Sequence, residues 1–235
     1  MRKLFLIPTP ISTDLSSIPP QVLEIVKTNN VFICERVRTT RRFIRSIIKD
    51  FNIDSSLFIE LDKRRSIRDH REVMDILKKG MDVCFMSEAG SPCIADPGSE
   101  LVNLARQFNY QILSQSGPSS IILALMASGM NGQKFTFRGY LPVKKDLLKK
   151  ELKQIEKAIL QTGYTQIFIE TPYRNLQMFD QITDAVNASV RLHIALHIHS
   201  KEEYLETKNI HDWKKDQAVK NKLSEKAPCI FILGR

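Results

Sequence analysis

Five short apolar runs recur through the first half of this chain at intervals of roughly 26 residues. They read "LFLI" (4–7), "VFIC" (31–34), "LFIEL" (57–61), "DVCFM" (82–86) and "YQILS" (110–114). Each is too short for a helix and is rich in β-branched and aromatic side chains, so each predicts a buried strand. Helix-like segments lie between most of them. "PPQVLEIVKTNN" opens on two prolines and puts Val22, Ile25 and Val26 on one face. "TTRRFIRSIIKD" does the same with Phe43, Ile44, Ile47 and Ile48, and "RDHREVMDILKKG" ends in lysines and Gly80, a C-terminal stop. "PGSELVNLARQFN" carries a fourth apolar stripe. Strand and helix alternating at this spacing predict a parallel sheet covered on both faces.

The rhythm changes after "SQSGPSS" (114–120). An apolar helix, "IILALMASG", is followed by strand-like "KFTFRGYLP" and a lysine-rich helix from Asp146 to about Thr162. "TQIFIE" (165–170), "VRLHIAL" (190–196) and "PCIFILG" (228–234) predict further strands. The expected fold is α/β with two α/β domains. Residues 1–116 form a doubly wound, mostly parallel five-stranded domain, and residues 117–235 a domain with a mixed sheet.

Leu4–Ile7 is too short for a signal-peptide core, which needs about 7–15 apolar residues, and no run approaches the ~18 of a membrane span. A cytoplasmic protein without a membrane partner is expected. Cys34, Cys84 and Cys229 sit in strand-like runs, Cys93 lies in a loop, and none pairs as C-x-x-C, which predicts buried thiols rather than a disulfide or zinc site. His193, His197 and His199 alternate along one strand-like run, but no acid at ligand spacing accompanies them, so no metal is expected. Net charge is +9, and between Arg36 and Arg71 eleven Lys/Arg stand against five Asp/Glu. That local excess suits a polyanionic partner such as nucleic acid, or else a solvated helix face.

Ligands of an open parallel sheet bind beyond the carboxyl ends of the strands. Here those ends carry "PTPIST", "ERVRTTRR", "SEAGSPCIADPG" and "SQSGPSS". Pro8 and Pro10 stand in the first turn where a phosphate cradle needs N–H groups, which disfavours a dinucleotide or triphosphate. Gly90, Ser91, Ser119 and Ser120 let a flat ligand approach the backbone, as a nucleoside without phosphates would. Asp96-Pro97-Gly98 reads first as a helix start, with Asp96 as N-cap.

Six segments in order, "PTPIS", "ERVRTTR", "SEAGSPCIADPG", "SGPSSIILALMASG", "RGYLP" and "IFIETPYR", resemble the tetrapyrrole methylase superfamily, and within it the ribosomal small-subunit methyltransferase I branch, which methylates a ribose 2′-hydroxyl. The resemblance runs from residue 5 to the C-terminus. It implies S-adenosyl-L-methionine held in a cleft between two domains, and a homodimer. Position by position, it puts Pro10 in the first cofactor loop, Gly90, Ser91, Ile94 and Ala95 in the second, and Ser119 and Ser120 in the third. Glu170 falls on the second-domain wall. Glu88 either faces the cofactor or caps its own turn. Glu35 or Glu170 is the expected catalytic carboxylate, with Arg38 and Arg41 holding RNA phosphate; an ion pair between Glu35 and Arg38 is the structural alternative.

The sequence departs from the branch pattern in places. Arg36 replaces an Asp, Glu88 an Asp, Ala95 a Ser and Ser116 a Pro, "LHIHSK" stands where the branch has R-E-L-T-K, and the chain ends at Arg235 without the branch's small C-terminal extension. Three functions are therefore weighed: methylation of ribosomal RNA in the small subunit, methylation of a tetrapyrrole, and cofactor binding without catalysis.

Overall fold

The computed structural model describes residues 2–62, 65–96 and 98–235. The chain divides into two compact units, one ending at Ser119 and the other spanning Ser120–Arg235.

The first unit runs β1 (Lys3–Ile7), α1 (Pro20–Thr28), β2 (Val31–Cys34), α2 (Val37–Ile47), β3 (Leu57–Glu60), a short 3-10 turn at Ile67–Asp69, α3 (Arg71–Lys79), β4 (Val83–Met86), α4 (Gly98–Gln107) and β5 (Gln111–Ser114). All five expected strands are present and all pair in parallel, in the order β3-β2-β4-β1-β5. Side chains alternate across the sheet. Ile7, Phe32, Cys34, Cys84 and Met86 join Val22, Val26, Phe43 and Ile44 of α1 and α2 on one face. Leu4, Leu6, Val31, Ile33, Val83 and Phe85 join Val73, Leu77, Leu101 and Leu104 of α3 and α4 on the other. Connections moving towards β3 therefore use one face and those moving towards β5 the opposite face, as right-handed crossovers require.

The second unit runs α5 (Ser120–Ser128), β6 (Phe135–Tyr140), α6 (Lys145–Thr162), β7 (Thr165–Glu170), α7 (Asn175–Ala185), β8 (Arg191–Leu196), β9 (Tyr204–Asn209), α8 (Ile210–Trp213), α9 (Ala218–Leu223) and β10 (Cys229–Gly234). Its sheet is mixed, in the order β6-β7-β10-β8-β9: β6 and β7 are parallel, and β10 and β8 are antiparallel to their neighbours. One face packs Phe168, Leu192, Ile194, Phe231 and Leu233 against α6, α7 and the buried Trp213. Trp213 Nε1 donates to Leu192 O at 2.8 Å, which satisfies the indole inside that core.

The three histidines do not share a strand face. β8 ends at Leu196, and His197 and His199 then take left-handed backbone at φ 51° and 64°. His197 Nε2 lies 3.1 Å from Glu225 Oε2, while His193 is buried inside the sheet. No group of three or more His, Cys, Asp or Glu that could hold a metal occurs among the described residues. Nor, among them, is any helix long and apolar enough to cross a membrane.

Candidate active site in the first unit

Because β1 lies between β4 and β5, the loops that follow these three strands leave the sheet side by side. They are tied together directly. Thr9 and Gly90 exchange two backbone hydrogen bonds, N–H to O at 3.0 Å in each direction. Ser87 Oγ donates to Gly90 O at 3.0 Å, and Thr9 Oγ1 donates to Ser87 O at 3.3 Å. Ser91 Oγ then reaches Pro118 O at 3.0 Å, joining the third loop.

Two glycines make this approach possible. Gly90 has φ +79°, and a Cβ there would stand 3.3 Å from Ile11 Cγ2 and 3.4 Å from Pro118 O. A Cβ on Gly117 would fall 2.2 Å from Pro8 Cβ, a distance no side chain tolerates. Pro8 and Gly117 thus fit face to face.

Beyond Gly90 the second loop holds Cys93 and Ala95 in left-handed backbone, at φ 69° and 62°. Such residues cost energy unless the surroundings hold them. Here Asp96 does the holding. Its carboxylate accepts the Cys93 N–H at 2.9 Å and the Gly98 N–H at 2.8 Å, so it clamps the loop and caps the start of α4. The expected helix-start role of Asp96 is observed; Pro97 lies outside the described residues. Between the two strained residues, Ile94 is left 52% exposed. Burial pushes the Cys93 thiol up to about 11, with the charge of Asp96 adding to it, so it rests as a neutral thiol.

The loop after β2 enters from the other side of β4. Glu35 is buried, and its Oε2 accepts the backbone N–H of Glu88 at 2.6 Å. Glu35 N–H in turn donates to Met86 O at 3.3 Å. No ion pair joins Glu35 to Arg38 among the described residues; the carboxylate instead holds the second loop. β2 and β4 send their connections to opposite faces of the sheet, so a crevice opens at this point.

A cavity of about 340 Å3 lies there. Thr9, Pro10, Ser87 and Glu88 form its loop side. Thr39, Arg42, Phe43 and Ser46 come from one face of α2, at helical spacing. Arg38 and Arg41 are exposed on other faces of the helix, and the Arg41 guanidinium lies 4.8 Å from the centre of the Phe58 ring. Arg42, absent from the sequence-based site, is the α2 cation at the cavity.

α2 is electrostatically unusual. Arg36 and Arg38 stand at its N-terminus with no acid in the first turn, where the helix dipole disfavours cations. Glu60 Oε2 offsets part of this by accepting the Val37 N–H at 2.8 Å. Arg36, Arg38, Arg42 and Arg45 are all exposed, and no ion pair links them to a carboxylate among the described residues.

Ser119 is the last residue of the first unit, and the other expected residues belong to the second. Ser120 opens α5. Glu170 ends β7 and is 2% exposed. Its Oε1 accepts the Thr171 N–H at 2.7 Å and the Thr171 hydroxyl at 3.2 Å, and its Oε2 lies 3.3 Å from Arg174.

The family model for Tetrapyrrole (Corrin/Porphyrin) Methylases matches residues 3–204. The chain belongs to this family. Among similar proteins, a ribosomal RNA small subunit methyltransferase I from Buchnera aphidicola subsp. Schizaphis graminum is 32% identical over 225 residues, covering 94% of this chain and 75% of that protein. A protein of the same name from Hydrogenobaculum is 27% identical over 235 residues, covering 99% of this chain and 96% of that protein. Among solved structures, the methyltransferase CobJ matches with a TM-score of 0.67 at 11% identity, over 100% of this chain and 95% of CobJ; at that identity the likeness is one of fold. The protein is a methyltransferase.

Proposed function

We propose that this methyltransferase uses S-adenosyl-L-methionine to methylate a ribose 2′-hydroxyl of small-subunit ribosomal RNA. The observation that carries the reading is the unpaired arginine face of α2 bordering the cavity beside the tied loops. Relatives named as ribosomal RNA small subunit methyltransferases support it.

The residues present suit the methyl donor. Gly90 leaves a cradle that a Cβ would narrow, and Ser91, Pro10 and Ser119 sit on the loops tied around it. Backbone groups at Ile94 and Ala95, held by Asp96, extend the same wall. Ser120 and Glu170 enter the cofactor set on resemblance alone. When bound, the cofactor supplies an electrophilic methyl group for in-line displacement by an oxygen nucleophile. The protein's task is to align that nucleophile and exclude water, and such orientation supplies roughly 7–11 kcal/mol in favourable cases. A ribose hydroxyl also needs its proton drawn off, and Glu35 is the proposed group, since it holds the loop that borders the cavity. The exposed arginines of α2, Arg38 and Arg41 among them, attract the RNA backbone. A homodimer is proposed as well; Ile122 and Met126, one turn apart on α5, are 44% and 73% exposed, a pattern that suits an interface.

The test is transfer of tritiated methyl groups to small ribosomal subunits from a strain lacking the gene. Label in RNA, at a position resistant to alkaline cleavage, is expected. Label absent from RNA and present in a tetrapyrrole would overturn the reading.

A further inference from the structure

We propose that the cavity between α2 and the loops after β1 and β4 is the acceptor subsite, taking one nucleotide turned out of the RNA, with Arg42 on its phosphate and the Phe43 side supporting its base. This rests on the RNA reading above and adds the residues that position the acceptor.

The argument begins with size. About 340 Å3 is at the lower end of ligand pockets, a volume that suits a single nucleotide. The lining divides by chemistry. Pro10, Leu15 and Phe43 supply apolar surface against which a base can rest, while Thr39 and Ser46 add hydroxyls. Arg42 supplies a planar cation whose fork matches phosphate. Among the described residues it has no carboxylate partner, so no ion pair has to break before phosphate binds.

The helix register selects Arg42. Thr39, Arg42, Phe43 and Ser46 stand at positions i, i+3, i+4 and i+7, one continuous stripe. Arg41 is turned away by about one residue's rotation and is engaged with Phe58. On the far wall Glu88 is carried on a backbone that Glu35 grips at 2.6 Å, so the carboxylate proposed as base is one hydrogen bond from the subsite wall. An enzyme that must reach a nucleotide held in a stack benefits from extruding it into such a cavity.

Two variants test this, with RNA methylation and S-adenosylmethionine affinity measured on each. Ser46→Phe fills the cavity from its α2 side without changing charge; it should lower kcat/KM for RNA at least tenfold and leave cofactor Kd within twofold. Arg42→Ala should raise KM for RNA several-fold and reduce the slope of log affinity against log salt by about one, the signature of one lost phosphate contact. Thermal melting of both variants verifies the fold, and Arg42, being exposed, keeps the test open if Ser46→Phe misfolds. Wild-type protein that transfers no methyl group to RNA refutes the RNA reading itself. Wild-type transfer to RNA that neither variant impairs overturns the subsite alone, as does a loss confined to cofactor affinity.

Discussion

Glu35 and Glu170 hold matching places in the two units. Each is a buried carboxylate at the carboxyl end of a strand, and each is a candidate base. Their partners differ. Glu35 grips the backbone of Glu88, 53 residues away, and so joins the loops after β2 and β4. Glu170 binds Thr171 next to it and Arg174 four residues on, so it shapes its own turn. Equal burial does not mean equal use: a carboxylate that links distant loops controls the geometry of a site, whereas one occupied by its neighbours stabilises a local fold.

The largest expected effect follows from this contrast. Glu35→Gln should lower kcat by about 100-fold or more, in line with loss of a general base, while retaining most of the melting temperature. Glu170→Gln should act first on stability, by roughly 1–3 kcal/mol in urea unfolding, because it weakens a buried hydrogen-bonded pair. A fall in kcat as deep for Glu170→Gln as for Glu35→Gln would break the comparison.

Next in size is the pH response of the second unit. Thr207 donates its hydroxyl hydrogen to Ser128 O at 3.0 Å and lies 2.8 Å from His193 Nδ1, so His193 donates from Nδ1 to the Thr207 oxygen. Burial lowers its pKa to about 4 from the ordinary 6.5. The unfolded chain therefore takes up the proton first as pH falls. Stability is full above about pH 6.5 and declines towards pH 4, by up to roughly 3 kcal/mol. Melting curves across that range should show the slope in wild type and lose most of it in His193→Gln.

Smaller still is the packing of the tied loops. Gly117→Ala forces a methyl group onto Pro8 and should cost roughly 1–3 kcal/mol, with weaker S-adenosylmethionine binding by calorimetry. Unchanged cofactor binding would separate this joint from the site. Gly132→Ala, with nothing within 4 Å of the new methyl, should shift stability by no more than about 0.5 kcal/mol.

Most of the fold was legible in the sequence because its central strands, such as β2, β4 and β10, are buried on both faces. Val31–Cys34 and Thr165–Glu170 have the bounds that their apolar runs predict. Less of the remainder was visible. β9, "YLETKN", is an edge strand paired on one side, so its sequence need not be apolar. α7 was missed although Met178, Phe179 and Ile182 carry a helical stripe. The histidine alternation failed because it assumed a strand that stops at Leu196. In the candidate site, the loop motifs announced which segments meet, and β1 lying between β4 and β5 is what brings them together. The arginines were visible as a charge excess, but one residue along a helix turns a side chain by about 100°, and only packing distinguishes Arg42 from Arg41.

The paired hydrogen bonds between Thr9 and Gly90 have a consequence for timing. They are made within the protein's own backbone, so the loops are latched before any ligand arrives. In hydrogen–deuterium exchange these two amides should be slow in the ligand-free protein, and cofactor should slow them little further. The entropy of bringing the loops together is then spent during folding, once, rather than at every catalytic turnover.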